Sequence, residues 1–123
     1  MKFKALGLVS VVIAMSTGPA SAHHSFAMFD GQKMITLEGT IKEFLWTYPH
    51  AWIVMMVPDA DGGTAKQWSL ELPGPGGLAN KGWLPKSLTP GMKVVAVAHP
   101  LKNGEAGGAG VSVTLPDGKV LRP

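Results

Sequence analysis

Met34-Ile35-Thr36-Leu37-Glu38-Gly39-Thr40-Ile41-Lys42-Glu43-Phe44-Leu45-Trp46 is the stretch on which the fold turns. Its first part alternates like a half-buried strand. Ile35, Leu37 and Ile41 share one parity, and Thr36, Glu38, Thr40 and Lys42 share the other. Phe44 and Trp46 then take up the opposite parity. Successive side chains of a strand point to opposite faces, so the apolar set keeps facing one core only if the backbone register breaks. The pattern predicts a β-bulge or strong bend between Gly39 and Phe44. A long, bent first strand that serves two sheet halves is typical of small closed barrels.

The chain after this strand supplies the rest of such a barrel. Residues 51–57 are apolar on both parities, with Trp52, Val54 and Met56 on one and Ile53, Met55 and Val57 on the other. That is a strand covered on both faces, or one whose outer face carries a binding surface. Pro58-Asp59-Ala60-Asp61-Gly62-Gly63 gives a hairpin turn. Residues 65–72 alternate cleanly, with Trp68, Leu70 and Leu72 expected inward and Gln67, Ser69 and Glu71 outward.

Pro73-Gly74-Pro75-Gly76-Gly77 breaks the sheet. Residues 78–88 form the helical region, limited to short turns by Gly82 and Pro85, with Leu78, Trp83 and Leu88 as its apolar contacts. Residues 92–98 read as a strand containing Val94, Val95 and Val97, ended by His99-Pro100. Residues 102–110 read as a Gly-rich hairpin loop, and 111–115 as the last strand before the turn Pro116-Asp117-Gly118. Three strands, a short helix and two strands is the order of the OB-fold, so the fold class is all-β, a small five-stranded Greek-key barrel. An SH3-like barrel or a small β-sandwich is the alternative, disfavoured by the placement of the helix.

The start of the chain points to a compartment. Residues 1–22 have the parts of a cleaved secretory signal: Lys2 and Lys4, an apolar run over 5–15, and small residues ending in Ala20-Ser21-Ala22. The apolar run is shorter than the roughly 20 residues that span a bilayer, so no membrane association is expected after cleavage. The absence of Cys excludes a disulfide framework, a thiolate nucleophile, a Cys-ligated zinc and a lipid anchor on the leader. The destination is the periplasm or the outside of the cell. Residues 23–33 then form a segment expected to pack on the barrel through Phe26, Met28 and Phe29, and 34–123 form the barrel itself.

Loss of Lys2 and Lys4 leaves nine basic against eight acidic side chains, a net of +1. The lysines are scattered singly, so nucleic acid is not an expected partner. Catalytic signatures are missing as well: the chain has no Cys, no paired carboxylates at a recognisable spacing, and no G-x-S-x-G or H-E-x-x-H. The protein is read as a binding module, not an enzyme.

Cleavage after Ala22 makes His23 the new amino terminus. Its amine and ring Nδ1 form one chelate, and His24 adds a second ring. Nitrogen-rich sites of this kind suit copper(II), which heads the divalent affinity order and accepts tetragonal nitrogen geometry. Cleavage after Ala20 leaves Ser21-Ala22-His23, whose third-position histidine chelates copper or nickel with backbone amides. His50 and His99 are the other two histidines. His50 sits in Trp46-Thr47-Tyr48-Pro49-His50-Ala51-Trp52, where it is either a metal ligand or a histidine bonded to backbone at a Pro turn. His99, before Pro100, is read as structural. The candidate metal ligands are therefore His23, His24 and His50, with copper as the candidate ion.

Trp46, Tyr48 and Trp52 are the candidate rim for a second reading, a module that binds a small ligand or a periplasmic protein partner without metal. Met28, Met34, Met55 and Met56 lie near the histidines in sequence and offer thioethers to copper(I). Met55 and Met56 point to opposite faces of one strand, and core filling is the default for methionine. A copper enzyme is disfavoured, because a barrel of about 100 residues leaves little room for a substrate cleft.

Ala22-His23-His24-Ser25-Phe26, Leu37-Glu38-Gly39-Thr40, Trp46-Thr47-Tyr48-Pro49-His50-Ala51-Trp52, Gly82-Trp83, Leu88-Thr89-Pro90-Gly91 and Ser112-Val113-Thr114-Leu115-Pro116-Asp117-Gly118 together resemble a family of exported bacterial proteins of unknown function. The likeness covers nearly the whole mature chain. It implies a small exported OB-like barrel with no established activity, and it assigns no functional residue.

Overall fold

A computed structural model describes residues 26–123 of the chain. The expected signal segment, with His23 and His24, lies outside the described residues. A single 3-10 turn, Phe26–Met28, leads into strand β1 (Ile35–Leu45), β2 (Trp52–Pro58), β3 (Ala65–Glu71), helix α1 (Pro75–Asn80), β4 (Lys93–Pro100), β5 (Gly107–Thr114) and the short β6 (Val120–Leu121).

The strands hydrogen-bond in the order β3-β2-β1-β4-β5-β6, and a further pairing of β3 with β5 closes a five-stranded barrel to which β6 adds a short edge. That closing pair is parallel, while the other pairs are antiparallel. Five strands closed in this order, with a helix between β3 and β4, are the OB arrangement.

β1 carries the register break where its apolar parity changes. Ile41 pairs with Met55 and Glu43 pairs with Val54, so one extra residue lies between them. Leu37 and Ile41 face the core before the bulge, and Phe44, opposite Ile53, packs against the core after it. The bulge also lets β1 serve two neighbours, with 35–40 bonded to β4 and 40–45 to β2.

β2 turns Ile53 and Met55 inward, both fully buried, and leaves Trp52, Val54 and Met56 half-buried on the outer face. Leu70 and Leu72 are buried as their parity requires, with Trp68 partly buried against the same cluster.

The helix departs from expectation at both ends. It runs Pro75–Asn80 instead of 78–88. Proline at the first helical position needs no N–H and has a helical φ, so it starts the turn despite the two glycines that follow. Gly82, with a φ of 83°, ends it in the left-handed region. Leu78, Trp83 and Leu88 are buried beneath this corner. The Trp83 indole donates Nε1–H to the Arg122 carbonyl at 3.1 Å, which satisfies its one polar atom.

The second departure is at β5. Residues 107–110, expected in a hairpin loop, are strand, and β4 runs on through His99 to Pro100. Side-chain periodicity is silent in Gly107-Gly108-Ala109-Gly110, and close approach of neighbouring atoms explains the glycines. A Cβ on Gly108 would lie 2.5 Å from the His99 carbonyl oxygen, and one on Gly110 would lie 2.5 Å from Cδ2 of Leu72. The strand is bonded on one side to β4 and on the other to β3, so small residues are what allow closure.

The segment before β1 is tied to the end of β4. The Asp30 amide donates to the Pro100 carbonyl at 2.8 Å, the Lys102 amide to the Met28 carbonyl at 3.0 Å, and Phe29 bridges to Leu101. Phe29 is buried, while Phe26 is 63% exposed.

Candidate functional site

The parallel seam creates the candidate site. Glu71 of β3 pairs with Ala109 of β5, and Ala109 pairs in turn with His99 of β4. Gly110 points toward Leu72 in the core, so its neighbour Ala109 faces outward. Glu71, Ala109 and His99 thus form one row across the outer face of the closing strands. At about 4.8 Å per strand, the ends of that row are roughly 10 Å apart.

His50 joins this row because the β2–β3 ladder continues past the named strands. Trp52 pairs with Glu71, the Leu72 amide donates to the Ala51 carbonyl at 2.9 Å, and the Ala51 amide donates to the Pro73 carbonyl at 3.3 Å. His50 is therefore held beside residues 71–73. The connecting turn contains a cis Tyr48-Pro49 peptide bond, and Thr47 Oγ1 donates to the His50 carbonyl at 2.9 Å.

The His50 ring is held through Nδ1. Nδ1 lies 3.1 Å from the Leu72 carbonyl oxygen and 3.3 Å from Oε1 of Glu71. Both neighbours are acceptors, so Nδ1 is the nitrogen that donates, and Nε2 is the nitrogen turned away from them. Metal-binding histidines are commonly held in this way, with one ring nitrogen donating to a carbonyl or carboxylate and the other open to the ion. His99 follows the same rule, with Nδ1 2.6 Å from the Lys33 carbonyl oxygen.

A cavity of about 420 Å³ opens beside this pair, lined by Phe26, Phe29, His50, Glu71, Leu72 and Ala109 among others. Its walls come from four places: the docked N-terminal segment, the turn before β2, the seam, and Pro123. The Phe26 ring packs against Phe29, with centroids 5.6 Å apart, and stands edge-on to His99. Another cavity of about 410 Å³ lies over β1, β4 and β5, where Glu38 and Lys93 are the only charged lining groups and no histidine is present. It offers a metal no nitrogen donor.

The sequence-predicted residues that are described separate in space. His50 lies in the cavity wall, and His23 and His24 lie outside the described residues. Trp46, Tyr48 and Trp52 do not line the cavity. Trp46 packs edge-on to Phe44 at 5.7 Å and is part of the barrel's covering, whereas Tyr48 is 77% exposed. Met55 is buried in the core, and Met34 is exposed at the start of β1. Among the described residues no group of three or more His, Cys, Asp or Glu side chains is placed to hold a metal ion. His50 and Glu71 alone are therefore an incomplete set.

Sequence reading missed Glu71. On a cleanly alternating strand its parity is that of a solvated residue, yet its side chain is only 10% exposed. The cover is supplied by the cavity walls and by β5, and the polypeptide near residue 71 gives no sign of them.

The fold and cavity define a small closed β-barrel with a pocket beside residues 26–29 in which His50 is the one histidine among the described lining residues. Residues 10–111 match the family of unknown function DUF6152, and the chain belongs to that family. No curated protein and no solved structure matches the chain.

Proposed function

We propose that this is an exported small binding protein, periplasmic or secreted, that takes up copper through His23, His24 and His50 once the leader is cut after Ala22. The observation that carries the reading is the position of Phe26. Its ring walls the cavity in which His50 keeps Nε2 free, and His24 lies two residues upstream. An extended chain spans at most about 3.6 Å per residue, so the Cα atoms of His24 and His23 fall within roughly 7 and 11 Å of that of Phe26. A terminal amine and imidazole, a second imidazole and Nε2 of His50 make a nitrogen-rich set suited to copper(II).

The test is copper(II) titration of protein beginning at His23 beside a variant that retains one extra residue before it. The extra residue converts the amine to an amide, and the expected loss of affinity is at least about tenfold. His50→Ala is expected to lose as much. Equal, weak affinity in all three overturns the reading.

The exposure of Tyr48 favours a second reading, in which the surface around Trp46, Tyr48 and Trp52 receives a small ligand or a periplasmic protein partner without metal. In that case Tyr48→Ala abolishes partner binding while His50→Ala leaves it intact.

A further inference from the structure

The cavity of about 410 Å³ over β1, β4 and β5 shares no lining residue with the pocket at His50. Leu37, Val94 and Val113 point into the core, so Glu38, Val95 and Thr114 project from the outer face of the same strands. The register sets these three in one row across the sheet, with Thr40 and Lys93 paired in the next. Pro58 ends β2 and Pro116 follows β5, so in the strand order β2-β1-β4-β5 the two prolines bound the cavity at opposite ends. Val95 lies half-buried between them. Glu38 and Lys93 are diagonal neighbours on adjacent strands, a placement about 7–8 Å apart. Neither makes an ion pair with the other or with any other described residue. The cavity thus carries a carboxylate and an ammonium held apart beside an apolar floor.

We propose that this cavity binds the zwitterion of a free α-amino acid with an apolar side chain. The ligand ammonium pairs with Glu38, its carboxylate pairs with Lys93, and its side chain lies on Val95 between the two prolines. The opposite charges of an α-amino acid are one carbon apart, so a single small molecule answers both heads at once. A simple anion or a simple cation would satisfy one head and be repelled by the other. The hydroxyls of Thr40 and Thr114, which donate and accept, complete the polar part of the lining. Both charged side chains are exposed, so the binding is weak and is screened by salt. The proposal uses no residue of the copper reading, and either stands without the other.

L-leucine is the probe, titrated into the isotope-labelled protein and followed by the shifts of its backbone amides in two-dimensional NMR. Saturable shifts are expected at residues 38–40, 93–95 and 114–116. Three relatives of leucine separate the contributions: leucinol lacks the carboxylate, 4-methylpentanoate lacks the amine, and glycine lacks the apolar side chain. Each is expected to bind about fivefold more weakly than leucine. Glu38→Gln is expected to weaken leucine by about the same factor and to abolish its advantage over 4-methylpentanoate. Lys93→Gln does the same for its advantage over leucinol. Both positions are exposed, and an amide spectrum otherwise like that of wild type shows that each variant is folded. Glu43→Gln, the same charge change outside the cavity, leaves leucine binding unchanged. Leucine shifts that fail to saturate or that fall away from the cavity overturn the proposal, as does equal affinity for leucine, leucinol and 4-methylpentanoate.

Discussion

The ring of Phe26 stands edge-on to the imidazole of His99, with centroids 6.4 Å apart and planes at 77°. This contact joins the segment leading to His23 and His24 to the same outer face that carries Glu71 and Ala109. Edge-to-face geometry puts the positive rim of one ring against the negative face of the other.

Phe26→Ala removes that contact and the one with Phe29. Phe26 is mostly exposed, so stability is expected to fall by no more than about 1.5 kcal/mol. The effect on copper should be larger. Each residue that must be ordered on binding costs about 1–2 kcal/mol, or roughly tenfold in affinity. Paired thermal melts and copper titrations check the expectation, and a large loss of stability with unchanged affinity contradicts it.

Ala109→Phe tests the cavity without touching a candidate ligand. The residue is buried beneath the cavity of about 420 Å³ and outside the main core cluster, so a larger ring is expected to fill the pocket. His50 should lose its access to copper. A metal-independent readout is available too: modification of His50 by diethyl pyrocarbonate, followed by mass spectrometry, is expected to slow in the variant while the melting temperature stays near that of wild type.

Gly108→Ala probes the seam. The added Cβ would sit 2.5 Å from a backbone carbonyl of the neighbouring strand, which cannot swing aside like a side chain. The expected cost is about 1–3 kcal/mol, read as a lower urea midpoint. Gly31→Ala, with nothing within 4 Å of its added Cβ, serves as the control and should change stability by no more than about 0.5 kcal/mol.

What could be read in the sequence follows from where side chains carry the information. The bend in β1 was legible because Ile41 and Phe44 lie on opposite parities yet both pack against one core. Leu78, Trp83 and Leu88 were legible as the apolar contacts of the helical region, and all three are buried, while Leu84 in the same stretch is exposed. The extent of α1 was not, because Gly76 and Gly77 lower helix propensity while packing at Leu78 decides the turn. The first half of β5 was hidden for a related reason: three glycines and an alanine have no alternation to display. His50 stood out by its flanking aromatics and proline. Glu71 did not, because its burial is created by residues about forty positions away in β5 and as many upstream at Phe26.

The parallel seam also bears on how the pocket at His50 is assembled. β1, β2 and β3 meet as sequential hairpins, whose loops are short and quick to close. Joining β3 to β5 requires the intervening helix and β4 to be in place, so this is the slow, long-range step of folding. Until it occurs, Ala109 is not beside Glu71, and the pocket at His50 lacks its floor. Under the proposed copper reading, a chain with only β1–β3 paired lacks the pocket at His50, and the full set of donors comes together only in a barrel that has shut. A ligand that recognises only the closed form holds it closed, so loading should slow the opening of β5 and protect its amides from hydrogen exchange more than those of β1 and β2.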